Sequence, residues 1–184
     1  GFTIGVKKHF DIEAHLEGDG YGADTFSLNY PEIPVFVGPE NWPTGDYKDV
    51  DFIYGNPPCA PWSTLGSGSK GADGWKSDPR VSCWSDVFSL IYTVKPKAIA
   101  IESVPRAYSP TGGLPMIKDF TEKANKEGYA VTHLMVDGQY TGLNHTRRRF
   151  FFLAHKGKFS PPAPNWNPSP NVGDVLDEFK AEHG

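Results

Sequence analysis

The chain has 184 residues, 38% of them hydrophobic and 14% aromatic, enough for one globular domain with a packed core and too few for two. Its net charge of −4 argues against a protein that coats polyanions with a basic surface overall, so any nucleic-acid contact falls to a local basic patch. No apolar run approaches the roughly 18 residues a membrane span needs, no signal-peptide pattern opens the sequence, and the two cysteines, Cys59 and Cys83, have no CxxC spacing for structural zinc or a disulfide framework.

Asp11 to Glu17 (DIEAHLE) reads as a strand, and Tyr21 to Asn29 as a short helix behind the Asp19/Gly20 turn. Val50 to Tyr54 (VDFIY) is a strand that runs into the breaker cluster GNPPC. Val81 to Val94 is a helix with Val81, Trp84, Val87, Phe88 and Ile91 on one face, stopped by Pro96. Ala98 to Ile101 is fully apolar, as expected for the buried middle of a parallel sheet. Leu114 to Glu127 is a second helix, with Leu114, Ile117, Phe120 and Ala124 inward and Gly128 as its stop. Strands follow at Ala130 to Val136 and Arg149 to Ala154, joined by a loop with three consecutive arginines. After Phe159 the chain is rich in proline and asparagine, with a short helix from Asp174. Glycine (20) and proline (17) make about a fifth of the chain, in keeping with many loops. This alternation predicts an α/β fold, a doubly wound and mostly parallel sheet in a single domain, with a core over 1–158 and a tail over 159–184.

In such a sheet ligands sit at the carboxyl ends of the strands. There the sequence places GNPPCAPWS (Gly55 to Ser63), where two prolines hold Cys59 at a fixed point. A free thiol is only a few per cent thiolate at neutral pH, so Cys59 is either an assisted nucleophile or a small buried residue in a tight turn. IESVPR (Ile101 to Arg106) puts Glu102 at the mouth of an apolar strand. Desolvation there would favour a protonated acid able to donate to a ring nitrogen, and the alternative is an ordinary salt bridge to an arginine. In GLNHTRRRFFFLA, Arg147 and Arg149 share one face if both lie on the strand, with Arg148 between. These arginines suit phosphate or base contacts, or else form a solvated basic turn. Thr64 to Asp78 holds four glycines, three serines and two lysines, reading as a lid or as a plain loop. Glu17 ends the first strand, where an acidic residue can accept from ribose hydroxyls. His9, His15, His133, His155 and His183 lack metal-ligand spacing and read as surface or core residues, so no metal site is expected.

These elements, in this order, resemble the C5-cytosine DNA methyltransferase family. GNPPCAPWS resembles its Pro-Pro-Cys motif, with Asn56 and Ala60 replacing the usual residues. IESVP resembles its Glu-Asn-Val motif with Ser103 for Asn, and HTRRR its Gln-x-Arg-x-Arg motif with His145 for Gln. SDPR (Ser77 to Arg80), the following helix and KPKAIAIE fit the stretch between, while GF-IGV, HFDIEAHLE and TFSLNYP resemble the segments around the cofactor site. The similarity covers nearly the whole chain to about Lys156.

The resemblance implies a Rossmann-like core dependent on S-adenosylmethionine. Cys59 would attack C6 of a flipped-out cytosine in duplex DNA, Glu102 would hold N3 and the exocyclic amine, Arg149 would reach O2, and Arg147 would orient the Glu or the backbone. Gly1, Phe2, Glu17, Pro58 and Cys83 would border the cofactor, and Ser63, Lys70, Lys76, His145 and Arg148 would serve the flap and the nucleic acid. The expected setting is intracellular and cytoplasmic, of bacterial or phage type. Two alternatives stay open: a non-catalytic relative that keeps a nucleic-acid contact, and the same chemistry on RNA or a nucleotide. An amino-group methyltransferase is disfavoured, because in NPPC (Asn56 to Cys59) the thiol stands where the aromatic residue that stacks on the base would be. By the same resemblance a glycine-rich cofactor loop is expected before Gly1 and a target-recognition region after Gly184. The expectation is therefore of a core whose remaining parts lie outside these residues, or come from a second chain, and which binds S-adenosylmethionine weakly by itself.

Overall fold

The computed structural model describes residues 2–183 apart from 19, 44, 46, 48, 64–72, 144 and 159–170. In chain order the elements are α1 (Phe2–Val6), β1 (His15–Glu17), α2 (Gly20–Asn29), β2 (Val35–Val37), β3 (Phe52–Gly55), α3 (Ser82–Val94), β4 (Ala98–Ser103), α4 (Leu114–Lys126), β5 (Ala130–Asp137), β6 (Arg148–His155) and α5 (Val172–His183). The strands form a four-stranded sheet in the order β3-β4-β6-β5 and a separate parallel pair, β1-β2.

In the larger sheet β3 and β4 are parallel, while β6 runs antiparallel to both β4 and β5. Three strands therefore share one direction, with β6 reversed between two of them. This modifies one sequence expectation: β4 is buried in the middle of the sheet, but only its β3 neighbour is parallel. A strand flanked on both faces reads the same whichever way its neighbours run, so an apolar run carries no direction signal.

The sheet is covered on both faces, as β6 itself shows. Phe152 meets Phe88 of α3 edge-on at 5.2 Å, and Phe88 stacks on Phe120 of α4 at 3.7 Å. The next residue back, Phe151, meets Phe2 of α1 at 6.2 Å. Successive strand residues point to opposite faces, so α3 and α4 cover one side and α1 the other, which is the doubly wound arrangement. The α3/α4 side carries the main core, built from Trp62, Trp84, Phe88, Ile99, Ile101, Ile117, Phe150 and Phe152 among others.

Helix α3 forms because Trp84, Phe88 and Ile91 recur at helical spacing and are all buried. It ends where Lys95 turns left-handed (φ 53°) ahead of Pro96. Helix α4 buries Ile117, Phe120 and Ala124, and the chain leaves it through Gly128 at φ 84°.

Several boundaries differ from the sequence reading. The strand expected from Asp11 begins only at His15, since Asp11, Ile12, Glu13 and Ala14 make no ladder pairing. Helix α1 and strand β2 were not expected: five and three residues are too short for a period to show. The tail helix spans Val172–His183, two residues earlier than expected. Among the described residues no helix is long and apolar enough to cross a membrane.

Candidate active site

Strands β3 and β4 end side by side, with Gly55 opposite Ile101. The Asn-Pro-Pro-Cys turn thus leaves the sheet beside Glu102. Cys59 is exposed, which removes the reading of a small buried turn residue. Its carbonyl accepts from the N–H of Trp62 (3.0 Å) and of Ser63 (3.1 Å), closing a tight turn immediately after it. On the other side the Trp84 indole N–H of α3 donates to the Pro58 carbonyl at 3.2 Å. Trp62 and Trp84, both fully buried, pack edge-to-face at 4.7 Å and complete the seat of the loop. The thiol is thereby presented outward from a rigid base of two prolines and two tryptophans.

Glu102 and Arg149 lie on the same face of neighbouring strands, Glu102 paired with Phe151 and Arg149 two residues away. Arg149 Nε meets Glu102 Oε1 at 2.7 Å, and both side chains are largely buried. Burial pushes the Glu102 carboxyl above its ordinary value, against the opposing pull of the Arg149 and Arg147 charges and the Arg149 hydrogen bond. Both sequence readings of Glu102 therefore hold together: it is ion-paired and still biased towards the protonated acid.

Arg147 is a correction. It lies one residue before β6, outside the strand on which alternation with Arg149 was read, and its charge still acts on Glu102. The loop before β6 is clamped by Asp137 at the end of β5, whose carboxylate accepts from the N–H of Arg147 (3.2 Å) and of Gln139 (3.4 Å) and from Arg148 Nε (3.4 Å). Arg148 and His145 are exposed. Asp137 was missed from sequence; the signal was an acidic residue ending a strand just before Gly138.

Glu17 ends β1 half-buried, its carboxylate accepting from the Gly18 N–H at 2.9 Å and facing His15 Nε2 at 3.4 Å. His15 lies flat on Phe26 at 3.7 Å. Its burial lowers its pKa, against the hydrogen bond and charge of Glu17. His15 is thus a half-buried residue stacked on buried Phe26, in keeping with its reading as a surface or core residue. No heavy atom lies within 4 Å of where a side chain on Gly18 or Gly20 would begin, while the Glu17 carboxylate packs against Gly22.

Phe2 packs on Tyr54 (5.6 Å) and Phe151 (6.2 Å). Cys83 is half-buried in the first turn of α3. Lys76 pairs with Asp73 at 2.8 Å on the turn before α3. Gly1, Lys70 and residues 64–72 of the candidate lid lie outside the described residues. Among the described residues no cluster of His, Cys, Asp or Glu is placed to hold a metal ion.

This sheet, with Cys59 and Glu102 at its strand ends, matches the fold of solved methyltransferase structures. The fold is shared with a putative DNA modification methyltransferase from an Escherichia coli prophage (TM-score 0.67, 19% identity, covering 91% of this chain and 48% of that one). It is shared also with Dnmt2 of Schizosaccharomyces pombe (TM-score 0.59, 16% identity, covering 95% and 50%). The family is narrower: the chain belongs to the C-5 cytosine-specific DNA methylases, whose family model matches residues 1–181. It is 31% identical to the type II methyltransferase M.AgeI of Thalassovita gelatinovora over 131 residues, 70% of this chain and 29% of that protein. It is 30% identical to M.DdeI of Desulfomicrobium norvegicum over 166 residues, 85% of this chain and 38% of that protein. The chain thus spans well under half the length of these curated relatives. S-adenosylmethionine is the methyl donor of this family.

Proposed function

We propose that this chain carries the chemical centre of a DNA cytosine-5 methyltransferase, acting on a cytosine swung out of the duplex. The observation that supports this best is an exposed Cys59 on a braced Pro-Pro turn, one strand away from a largely buried Glu102 held by Arg149 at 2.7 Å. Cytosine C5 is a poor carbon nucleophile, and covalent addition at C6 divides one hard step into two easier ones.

In this reading the Cys59 thiolate adds to C6 while the protonated Glu102 gives its proton to N3. The C5–C6 electrons then become those of an enamine. When bound, S-adenosylmethionine supplies an electrophilic methyl group on a sulfonium. C5 takes that methyl, H5 leaves as a proton, and the C6–S bond breaks to return the thiolate as N3 gives its proton back to Glu102. Arg149 holds Glu102 in place and presents its guanidinium towards O2, and Arg147 orients the same carboxyl. Glu17 would hold the cofactor's ribose, with Phe2, Pro58 and Cys83 bordering it. His145, on the exposed loop before β6, and Arg148, at the start of β6, would meet the DNA backbone, with Ser63 and Lys76 on the side of the lid. A base inside a duplex cannot reach such a centre, so it must be flipped out.

The test is a trap: duplex DNA containing 5-fluorocytosine with S-adenosylmethionine and the full chain. Fluorine blocks the loss of the C5 substituent, so the adduct accumulates, and Cys59→Ser abolishes it. No adduct on DNA, with wild type and Cys59→Ser alike, ends this reading. An adduct on RNA alone would keep the chemistry and change the substrate.

A further inference from the structure

The Glu102–Arg149 pair stands near an end of the sheet, and only one neighbour of β6 holds the arginine there. The ladder with β4 begins at Phe150, so Arg149 is paired on the β5 side alone, opposite Val136. One rung lies beyond it, Asp137 opposite Arg148, and β5 ends and β6 begins at that rung. The end of a ladder is supported from one direction only and opens more readily than its middle.

The Asp137 side chain closes this end. It is 10% exposed, and its Oδ1 accepts from the N–H of Arg147 at 3.2 Å and of Gln139 at 3.4 Å. The Gly138 N–H donates to the Arg147 carbonyl at 3.2 Å, so both polar groups of the Arg147 backbone are held. One residue on, the Arg148 carbonyl accepts from Arg149 Nη1 at 2.7 Å, while Arg149 Nε meets Glu102 Oε1 at 2.7 Å. Two nitrogens of the guanidinium are thus engaged, one by the acid and one by the backbone that Asp137 secures, and together they fix its plane. The third, Nη2, is used by neither contact. The Arg148 side chain reaches the other Asp137 oxygen at 3.4 Å but is 71% exposed, and an ion pair so open to water adds little.

We propose that Asp137 is a positioning residue for the acid–arginine pair, holding through Oδ1 the backbone that aims Arg149 at Glu102. Its part in catalysis rests on Glu102 and Arg149 serving the chemistry proposed above, but the test needs neither DNA nor cofactor.

Hydrogen exchange at the arginine Nε–H groups of the full chain, followed by NMR and assigned with Arg149→Lys, reads the pair directly. In Asp137→Ala the Arg149 Nε–H is expected to exchange about tenfold faster than in the unsubstituted chain. In Asp137→Asn, whose amide oxygen can still accept both backbone N–H groups, it is expected to stay within about twofold. The Arg80 Nε–H, which donates to Asp78 at 2.8 Å on the turn before α3, is the internal reference and is expected to keep its rate throughout. An unchanged Arg149 rate in Asp137→Ala, an Asp137→Asn rate as fast as that of Asp137→Ala, or an Arg80 rate that rises in step with that of Arg149 overturns the proposal. The 5-fluorocytosine trap tests the chemistry itself, so either idea can fail without the other.

Discussion

Glu102 and Arg149 meet at 2.7 Å across β4 and β6, yet the carboxyl sits above its ordinary value because burial outweighs its partner. An acid with a raised pKa in the folded state keeps its proton there while the unfolded chain has begun to release it. Folded stability from this group is thus fully present below the unfolded value and falls as pH rises through the folded one. Unfolding in urea should therefore show wild type losing stability relative to Glu102→Gln as pH rises above the ordinary carboxylate value of about 4. A wild type that instead gains stability relative to Glu102→Gln as pH rises would show that the Arg149 pair outweighs burial.

The same substitution should act on the chemistry more than on binding. Gln cannot give a proton to N3, so Glu102→Gln should lower kcat by about 10²–10⁴-fold with a much smaller change in KM for DNA. Single-turnover methyl transfer to a duplex makes the measurement. Retention of more than about a tenth of the rate would remove Glu102 from the proton-transfer role.

Trp84 braces the loop before the nucleophile through one hydrogen bond to Pro58. Trp84→Phe keeps an aromatic ring in the core but removes that donor and some volume. We expect a loss of about 1–3 kcal/mol in the denaturant midpoint at constant m, together with slower 5-fluorocytosine adduct formation. Full adduct rate in the destabilised variant would mean that the brace serves folding alone.

Arg148 is exposed at the start of β6, with its Nε on Asp137 at 3.4 Å. If it meets a phosphate, Arg148→Ala should weaken binding to all sequences alike and reduce the slope of log affinity against log salt by about one. Fluorescence anisotropy across a salt series gives that slope directly. An unchanged slope would confine Arg148 to holding the loop.

Most of the fold was legible because long elements carry their period. Trp84, Phe88 and Ile91 marked α3, and Ile117, Phe120 and Ala124 marked α4. The site was legible as positions after strands, which is how Cys59 and Glu102 stood out from the rest of the sequence. What escaped depends on contacts between segments far apart in the chain. The reversal of β6 and the Trp84 brace each join such segments, and no local pattern encodes them. Arg147 was placed on the wrong kind of backbone because alternation was extended one residue past the start of β6.

Because β6 runs against its neighbours, it begins where β4 ends. Its ladder with β4 starts at Phe150 opposite Ser103, and Arg149 stands one residue ahead of that first rung. Arg149 is laddered instead to Val136 of β5, so one neighbour of β6 fixes the arginine and the other carries the acid. A one-residue slip of β6 would turn Arg149 to the opposite face and leave Glu102 without its partner.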